Sequence, residues 1–363
     1  MRRILYILLL FSTLLFSANN KVVSLKIEGP ISPATATFLK EAFLEVKKQD
    51  ASFVYLALDT PGGLATSMRE MIQDILNSKI PVVIYVSPKG ARAASAGTFL
   101  MYASHVAVMA PGTNIGAATP VNLMQPQSPA KKDEKKDNTL EKQKSAMEKK
   151  VINDSIAYIK SIAELRDRNI KWGILAVKEG ASISALEAVE KNVIDFMADN
   201  EEELFEKLNN FEVTIDKKVI KLDTKNMELI AITPDFKTKF LMAISNPSIA
   251  YIFLIVAMYG ILFEMMNPGS IFPGVLGSIS ALIALYALNI LPFSVVGLLL
   301  IFLGIAFMIA EVFLSGFGIL GLAGVVSFAF GSILLFDEKT LGVGVSLSLV
   351  IPAKLKKSLE FIL

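Results

Sequence analysis

The chain is predicted to fold as an α/β domain built from strand, turn and helix units, followed by an all-α membrane region of about four transmembrane helices. Three observations carry this expectation. Short continuous apolar runs, residues 53–58 (FVYLAL) and 82–86 (VVIYV), are each followed by a glycine-containing turn and then by apolar residues suited to a helix. Hydrophobic residues make up 53% of the 363 positions and the mean hydropathy is +0.53, more than a soluble domain requires. From Phe240 to Phe336 there is no Lys, Arg or Asp, and Glu264 and Glu311 are the sole ionisable side chains.

At the start, Arg2 and Arg3 precede an apolar run over 4–16, and Ser17 and Ala18 supply small residues behind it. Residues 1–18 therefore read as a signal peptide, with an uncleaved anchor helix as the alternative. Either way the following domain, placed at 21–199, is exported. The absence of cysteine is compatible with export and decides nothing about redox compartment.

Within that domain the informative residue is Ser95, in the turn Gly90-Ala91-Arg92-Ala93-Ala94-Ser95-Ala96-Gly97-Thr98 that follows the second apolar strand. A hydroxyl nucleophile needs a proton acceptor, usually histidine. The one histidine, His105, opens an apolar strand and reads as structural, which leaves a lysine kept neutral by burial as the acceptor to look for. The first strand ends in Asp59-Thr60-Pro61-Gly62-Gly63, then Leu64, Met68, Met71, Ile72 and Ile75 at helical spacing. Paired glycines there let backbone N–H groups approach an oxygen, as an oxyanion hole requires. Taken singly, each turn could be an ordinary α/β connection.

Together, at successive strand ends, the two turns resemble those of the ClpP/crotonase superfamily, whose fold is a spiral of ββα units. The run 59–122, from DTPGGLATSMREM through GARAASAGT to GAATPVN, is more closely similar to the NfeD family of membrane-bound ClpP-class serine proteases, and the resemblance resumes over 150–169 and 181–195. It implies a Ser-Lys dyad, with Ser95 as nucleophile and Lys150 as general base, and an oxyanion hole from the backbone N–H groups of Gly63 and Ala96. Lys150 is read as opening an amphipathic helix whose Ile152, Ile156, Ile159 and Ala163 form an apolar stripe, so that a first-turn residue can be carried inward. Lys149 is equally close by periodicity, and the family match alone separates the two.

Residues 125–149 are polar and lysine-rich and are expected to form a mobile loop, either a lid beside the cleft or a solvated insertion. Residues 200–239 read as a charged connector, with a short strand near 211–220. Spans are expected at about 249–266, 272–291, 295–314 and 318–336 within the membrane region 240–336. An offset of 47 residues superposes Glu264 on Glu311, Gly274 on Gly321, Gly277 on Gly324 and Ser280 on Ser327. This predicts two tandem helical hairpins. Each acid lies beside a turn, where it can be hydrated or accept turn N–H groups. The tail, 337–363, is too short for the small OB-like barrel that usually ends members of the family, and the chain is expected to lack it.

The resulting expectation is a membrane-anchored serine endopeptidase that cleaves extended hydrophobic segments of membrane-associated proteins, with stomatin-like partners implied by the resemblance. Two alternatives remain: a catalytically silent membrane scaffold that organises such partners, and an acyl-CoA enzyme of the crotonase type, which export disfavours. No metal or other cofactor is expected, because the sequence holds neither a His/Cys ligand cluster nor a GxxxxGK[ST] loop. A net charge of +2 gives no ground for a nucleic-acid partner. Membrane lipid and a homo-oligomer, dimer or larger, complete the expected partners. The protease domain is expected on the extracytoplasmic side, although the loops between spans carry no Lys or Arg to which the positive-inside rule could be applied.

Overall fold

Strands β1 (Lys21–Glu28), β2 (Phe53–Asp59), β3 (Val82–Val86), β5 (Val106–Met109), β8 (Phe196–Met197) and β11 (Glu228–Ala231) form one parallel sheet in the order β11-β1-β2-β3-β5-β8. A computed structural model describes residues 20–120 and 138–336, apart from 268, 292 and 315–317. The expectations for residues 1–18, 125–137 and 337–363 lie outside the described residues. A parallel sheet covered on both faces calls for apolar strands throughout, which is why β2 and β3 do not alternate. On one face Val54, Leu56, Leu58, Ile84 and Val86 join a large core. That core is completed by α1 (Pro33–Gln49), α2 (Ala65–Leu76), α3 (Ala96–Ala103), α4 (Asn138–Leu165), α5 (Ile170–Lys178) and α6 (Ala185–Glu190). On the other face Phe53, Tyr55, Val83 and Val108 meet α7 (Glu201–Leu208) and the hairpin β9 (Glu212–Ile215) with β10 (Lys218–Lys221).

The short strands β4 (Arg92–Ala94), β6 (Asn114–Gly116) and β7 (Ser182–Ser184) make a second sheet at the carboxyl ends of the main strands. β3, β4 and α3 follow one another as a ββα unit, as the sequence predicts. The N-cap serines Ser32 and Ser184 each close a capping box, fixing the starts of α1 and α6.

Two expectations are corrected. Residues 138–149 are not loop: they are the first turns of α4, a helix of 28 residues, so Lys150 lies inside a helix rather than at its start. Residues 200–239 are not a connector. β11 pairs with β1 from Lys21↔Glu228 to Ser24↔Ala231, and Leu204, Leu208, Val213 and Ile215 are buried beneath the sheet. Charge at alternate and capping positions hid a segment that supplies an edge strand and the layer covering one face of the sheet.

The membrane region holds the apolar helices α9 (Pro247–Met266), α10 (Phe272–Ile290), α11 (Val295–Leu314) and α12 (Ile319–Leu335), preceded by α8 (Phe236–Ile244). α9 and the stretch Phe272–Asn289 are long and apolar enough to cross a bilayer, whereas the apolar stretches Val295–Glu311 and Ile319–Leu335 are shorter. The 47-residue repeat is a structural one. A methyl group on Gly277 would meet the Ala257 carbonyl at 3.0 Å, and one on Gly324 would meet the equivalent Gly304 carbonyl at 2.8 Å. Each hairpin thus packs backbone on backbone through a small residue. The repeated acids have repeated roles: Glu264 accepts from the Gly269 N–H (3.2 Å) and Ser270 hydroxyl (2.9 Å), and Glu311 from the N–H groups of Gly318 (2.7 Å), Leu320 (3.0 Å) and Gly321 (3.2 Å). Each carboxylate satisfies donors at the turn into the next helix, where helix-end N–H groups lack intrahelical partners.

Among the described residues of the α/β domain, one ion pair is largely buried. Arg168, whose side chain is 3% exposed, meets Asp195 at 2.9 Å and donates to the Val193 carbonyl, while Asp195 accepts from Ala107 N–H of β5. Arg168→Ala strands a carboxylate at that edge of the sheet and is expected to lower domain stability by about 3–5 kcal/mol. Lys160→Ala, which removes a solvent-exposed pair with Glu164, should change it by less than about 0.5 kcal/mol in the same denaturant titration.

Candidate active site

The parallel strands all end at one edge, and the turns leaving them converge there. Ser95 sits between β4 and α3 with φ 52° and ψ −113°, a conformation rarely adopted by a residue with a side chain. Strain of this kind amounts to about 1–3 kcal/mol and persists only where the surroundings fix it. Here they do. Ser95 N–H donates to the Gly116 carbonyl (2.8 Å), and the preceding Ala94 N–H donates to the Thr60 carbonyl (3.1 Å). The Thr98 hydroxyl reaches the carbonyls of Ala93 (3.0 Å) and Gly116 (2.9 Å) and accepts from Gly116 N–H (3.1 Å). The serine is left half-buried at the start of a helix, with no hydrogen-bond partner for its hydroxyl among the described residues.

The Pro-Gly-Gly turn lies against it. Gly62 has φ 122°, and a Cβ there would stand 2.7 Å from Ser95 Cβ and 3.1 Å from Ser95 Oγ, so the absence of a side chain permits the contact. Gly63, at φ 153°, pairs with Ile31: Ile31 N–H donates to the Gly62 carbonyl (2.7 Å) and Leu64 N–H to the Ile31 carbonyl (2.9 Å). A parallel bridge uses the peptide groups flanking the paired residue, so Gly63's own N–H faces away from Ile31. Ala96 is the first residue of α3, and its N–H has no intrahelical acceptor. Ser95, Gly63 and Ala96 are thereby brought to one place.

Lys150 is not. It is exposed, and no hydrogen bond joins it to Ser95 among the described residues. Helical spacing puts it on the face of Asp154, opposite the stripe of Ile156, Ile159 and Ala163 that faces the core; Ile152, at the start of the expected stripe, is not part of that core. That Lys150 face is anchored one and two turns further on. Arg69 of α2 pairs with Asp154 and lies 4.2 Å over the Tyr158 ring, and Tyr158 stacks on Phe99, one turn beyond Ser95 in α3, at 6.0 Å. Burial raises the Tyr158 hydroxyl pKa, opposed by the Arg69 charge. Neither Arg69 nor Phe99 was singled out from sequence, since nothing local in the chain announces a contact spanning 85 residues.

His105 is structural. Its Nδ1 accepts from Val82 N–H (3.2 Å) at the start of β3, the opposite end of the strand from Ser95. Burial, reinforced by Arg166 and Arg168, lowers its pKa from 6.5 to about 3. Among the described residues no group of three His, Cys, Asp or Glu side chains is placed to hold a metal ion.

A family model described as "NfeD1b, N-terminal domain" matches residues 21–219, and one described as "NfeD integral membrane domain" matches residues 248–355. The chain belongs to the NfeD family. It is 34% identical over 345 residues to membrane-bound protease PH1510 of Pyrococcus horikoshii, covering 93% of this chain and 74% of that relative. It is 28% identical over 310 residues to membrane protein NfeD1b of Bacillus subtilis, covering 84% of this chain and 64% of that one. Among solved structures, the NfeD chain resembles the 1510-N membrane-bound stomatin-specific protease. A lysine-to-alanine variant of it, in complex with a substrate peptide, matches with a TM-score of 0.54 at 33% identity, over 62% of this chain and 97% of that one. A serine-to-alanine variant matches with a TM-score of 0.53 at 32% identity, over 60% and 100% respectively. The mixed α/β domain, its parallel sheet and the helical membrane domain after it are those of the family.

The depressed pKa of His105 has a consequence for pH dependence. The unfolded chain takes up a proton near pH 6.5 and the folded one near 3, so this contribution to stability is complete above pH 6.5 and is lost as pH falls toward 3. Because the chain has one histidine, an imidazole NMR titration of the labelled protein reads it without ambiguity. The ring should remain neutral down to about pH 5, and a midpoint near 6.5 in the folded state would contradict the assignment.

Proposed function

We propose that this NfeD chain is a membrane-anchored serine endopeptidase in which Ser95 attacks the scissile carbonyl of an extended apolar segment and Lys150 takes its proton. The observation that carries this reading is the strained serine at a helix N-terminus, pressed against Gly62-Gly63 at the carboxyl edge of a parallel sheet. Two donors suit the oxyanion of the tetrahedral intermediate: the N–H of Ala96, next to the nucleophile, and that of Gly63, directed away from Ile31. The acyl-enzyme formed on Ser95 is then hydrolysed by water, with the same lysine as base. The relatives support the assignment of roles, since the solved 1510-N proteins include a serine variant and a lysine variant, the latter carrying a substrate peptide.

Substrate class follows from the same comparison and from topology. The 1510-N protease is described as stomatin-specific, and we extend that class, a stomatin-like membrane protein, to this chain. β11 runs parallel to β1, so the chain leaves the domain for α8 and α9 toward the edge that holds Ser95. A cleft on that edge is suited to a segment emerging from the bilayer. In this reading all four apolar helices α9–α12 span the membrane, and the α/β domain lies on the extracytoplasmic side.

A second reading is a silent scaffold for stomatin-like proteins, favoured by the exposed position of Lys150. Turnover separates the two. Ser95→Ala and Lys150→Ala are each expected to lower kcat on an apolar peptide by about 10³-fold or more while circular dichroism stays unchanged, and Lys149→Ala to leave it near wild type. Loss with Lys149→Ala but not Lys150→Ala would reassign the base, and an inactive wild-type chain on stomatin-like segments would favour the scaffold. Gly62→Ala should also reduce kcat, by about tenfold or more, because its methyl group displaces Ser95 at a backbone conformation strained for alanine.

A further inference from the structure

We infer that α8 is a lipid-binding helix that seats the α/β domain on the headgroup layer of the same bilayer its hairpins enter. The helix has three faces. Met242 packs against the core of the α/β domain, and Leu241 and Ile244 pack into the core formed by the membrane helices. The third face is the exposed one. On it lie Phe236, 86% exposed, and Phe240, 39% exposed, one turn apart, with Ala243 a further turn on. Helical spacing places Lys237 on one flank of this apolar stripe and Lys239 on the other; both are exposed, and neither forms an ion pair among the described residues.

An aromatic stripe bordered on both sides by lysines is the pattern of a helix lying in the membrane interface. The rings enter the boundary between headgroups and acyl chains, and the lysine stems extend to the phosphates. Two features commit the occupant to phospholipid. α8 is separated from α9 only by Ser245 and Asn246, with Asn246 capping a helix that begins at Pro247, so its stripe is continuous with a surface already facing lipid. The flanking charges are cationic, matching an anionic headgroup layer and not another cationic surface. The Asp235 carboxylate caps α8 through the Thr238 N–H (2.8 Å) and stays charged beside Lys237, whereas Lys239 on the other flank has no ion-pair partner among the described residues.

The chain has no cysteine, so single-cysteine variants of the full-length protein give site-specific spin labels without further substitution. In vesicles of mixed phosphatidylcholine and phosphatidylglycerol, labels at Phe236→Cys and Phe240→Cys are expected to show a several-fold higher ratio of oxygen to aqueous nickel-chelate accessibility than a label at Glu45→Cys on α1. Lys237→Glu together with Lys239→Glu should shift the Phe236→Cys label toward the aqueous reagent. The same shift is expected when phosphatidylglycerol is omitted. A label at 236 as open to the nickel chelate as the one at 45 would overturn the proposal, and so would a depth unchanged by both charge reversal and removal of the anionic lipid. The readout is position and not turnover, so it stands apart from the protease assignment.

Discussion

A parallel sheet buried on both faces imposes a direction on everything around it. β2 and β3 are apolar at nearly every position because helices cover one side while α7 and a hairpin cover the other, and each strand must return through a crossover to run the same way. The carboxyl ends of β1, β2, β3 and β5 therefore meet at one edge. The turns after them are the Ile31 to Ser32 corner, the Pro-Gly-Gly turn, the Ser95 turn and the Gly116 segment, which hydrogen-bond to one another. The strained geometry of Ser95 is held by three different strand ends. β11, joining the sheet beside β1, directs the path to the membrane toward that edge too.

The two halves of α4 are held differently. From Asp154 onward the helix is clamped by Arg69 and Tyr158 and buried through Ile159, Ile162 and Ala163. Before that point Met147, Lys149, Lys150 and Val151 are all exposed. The catalytic lysine proposed for this chain lies one turn outside the clamp, so its approach to Ser95 depends on what covers this exposed stretch.

In the membrane region the same economy of donors and acceptors operates with fewer residues. The apolar stretch has two ionisable groups, and each accepts N–H or hydroxyl donors at a hairpin turn that hydrocarbon would leave unpaired. Glycine and alanine on the facing helices bring backbones close enough for packing to hold each hairpin together. The repeat of these positions at 47 residues reflects two solutions of one problem.

How much of this was readable in the chain differs from element to element. Apolar runs, glycine turns and the repeated glutamates are local patterns, and their periodicity is imposed by backbone geometry, so the ββα units, the membrane hairpins and the place of Ser95 in a turn after an apolar strand were legible. The edge strand β11 was not, because a four-residue strand with charged neighbours has no pattern of its own until β1 offers it a ladder. The start of α4 was misread because lysine and glutamate are good helix formers as well as loop residues, and polarity alone does not distinguish them. Contact across long separations was invisible: Arg69 on Tyr158 and Gly62 against Ser95 depend on how the crossovers stack. The sequence by itself determined which residue types could do chemistry. The tertiary structure decided which of them meet, because proximity is set by the packing of the strand ends and not by spacing along the chain.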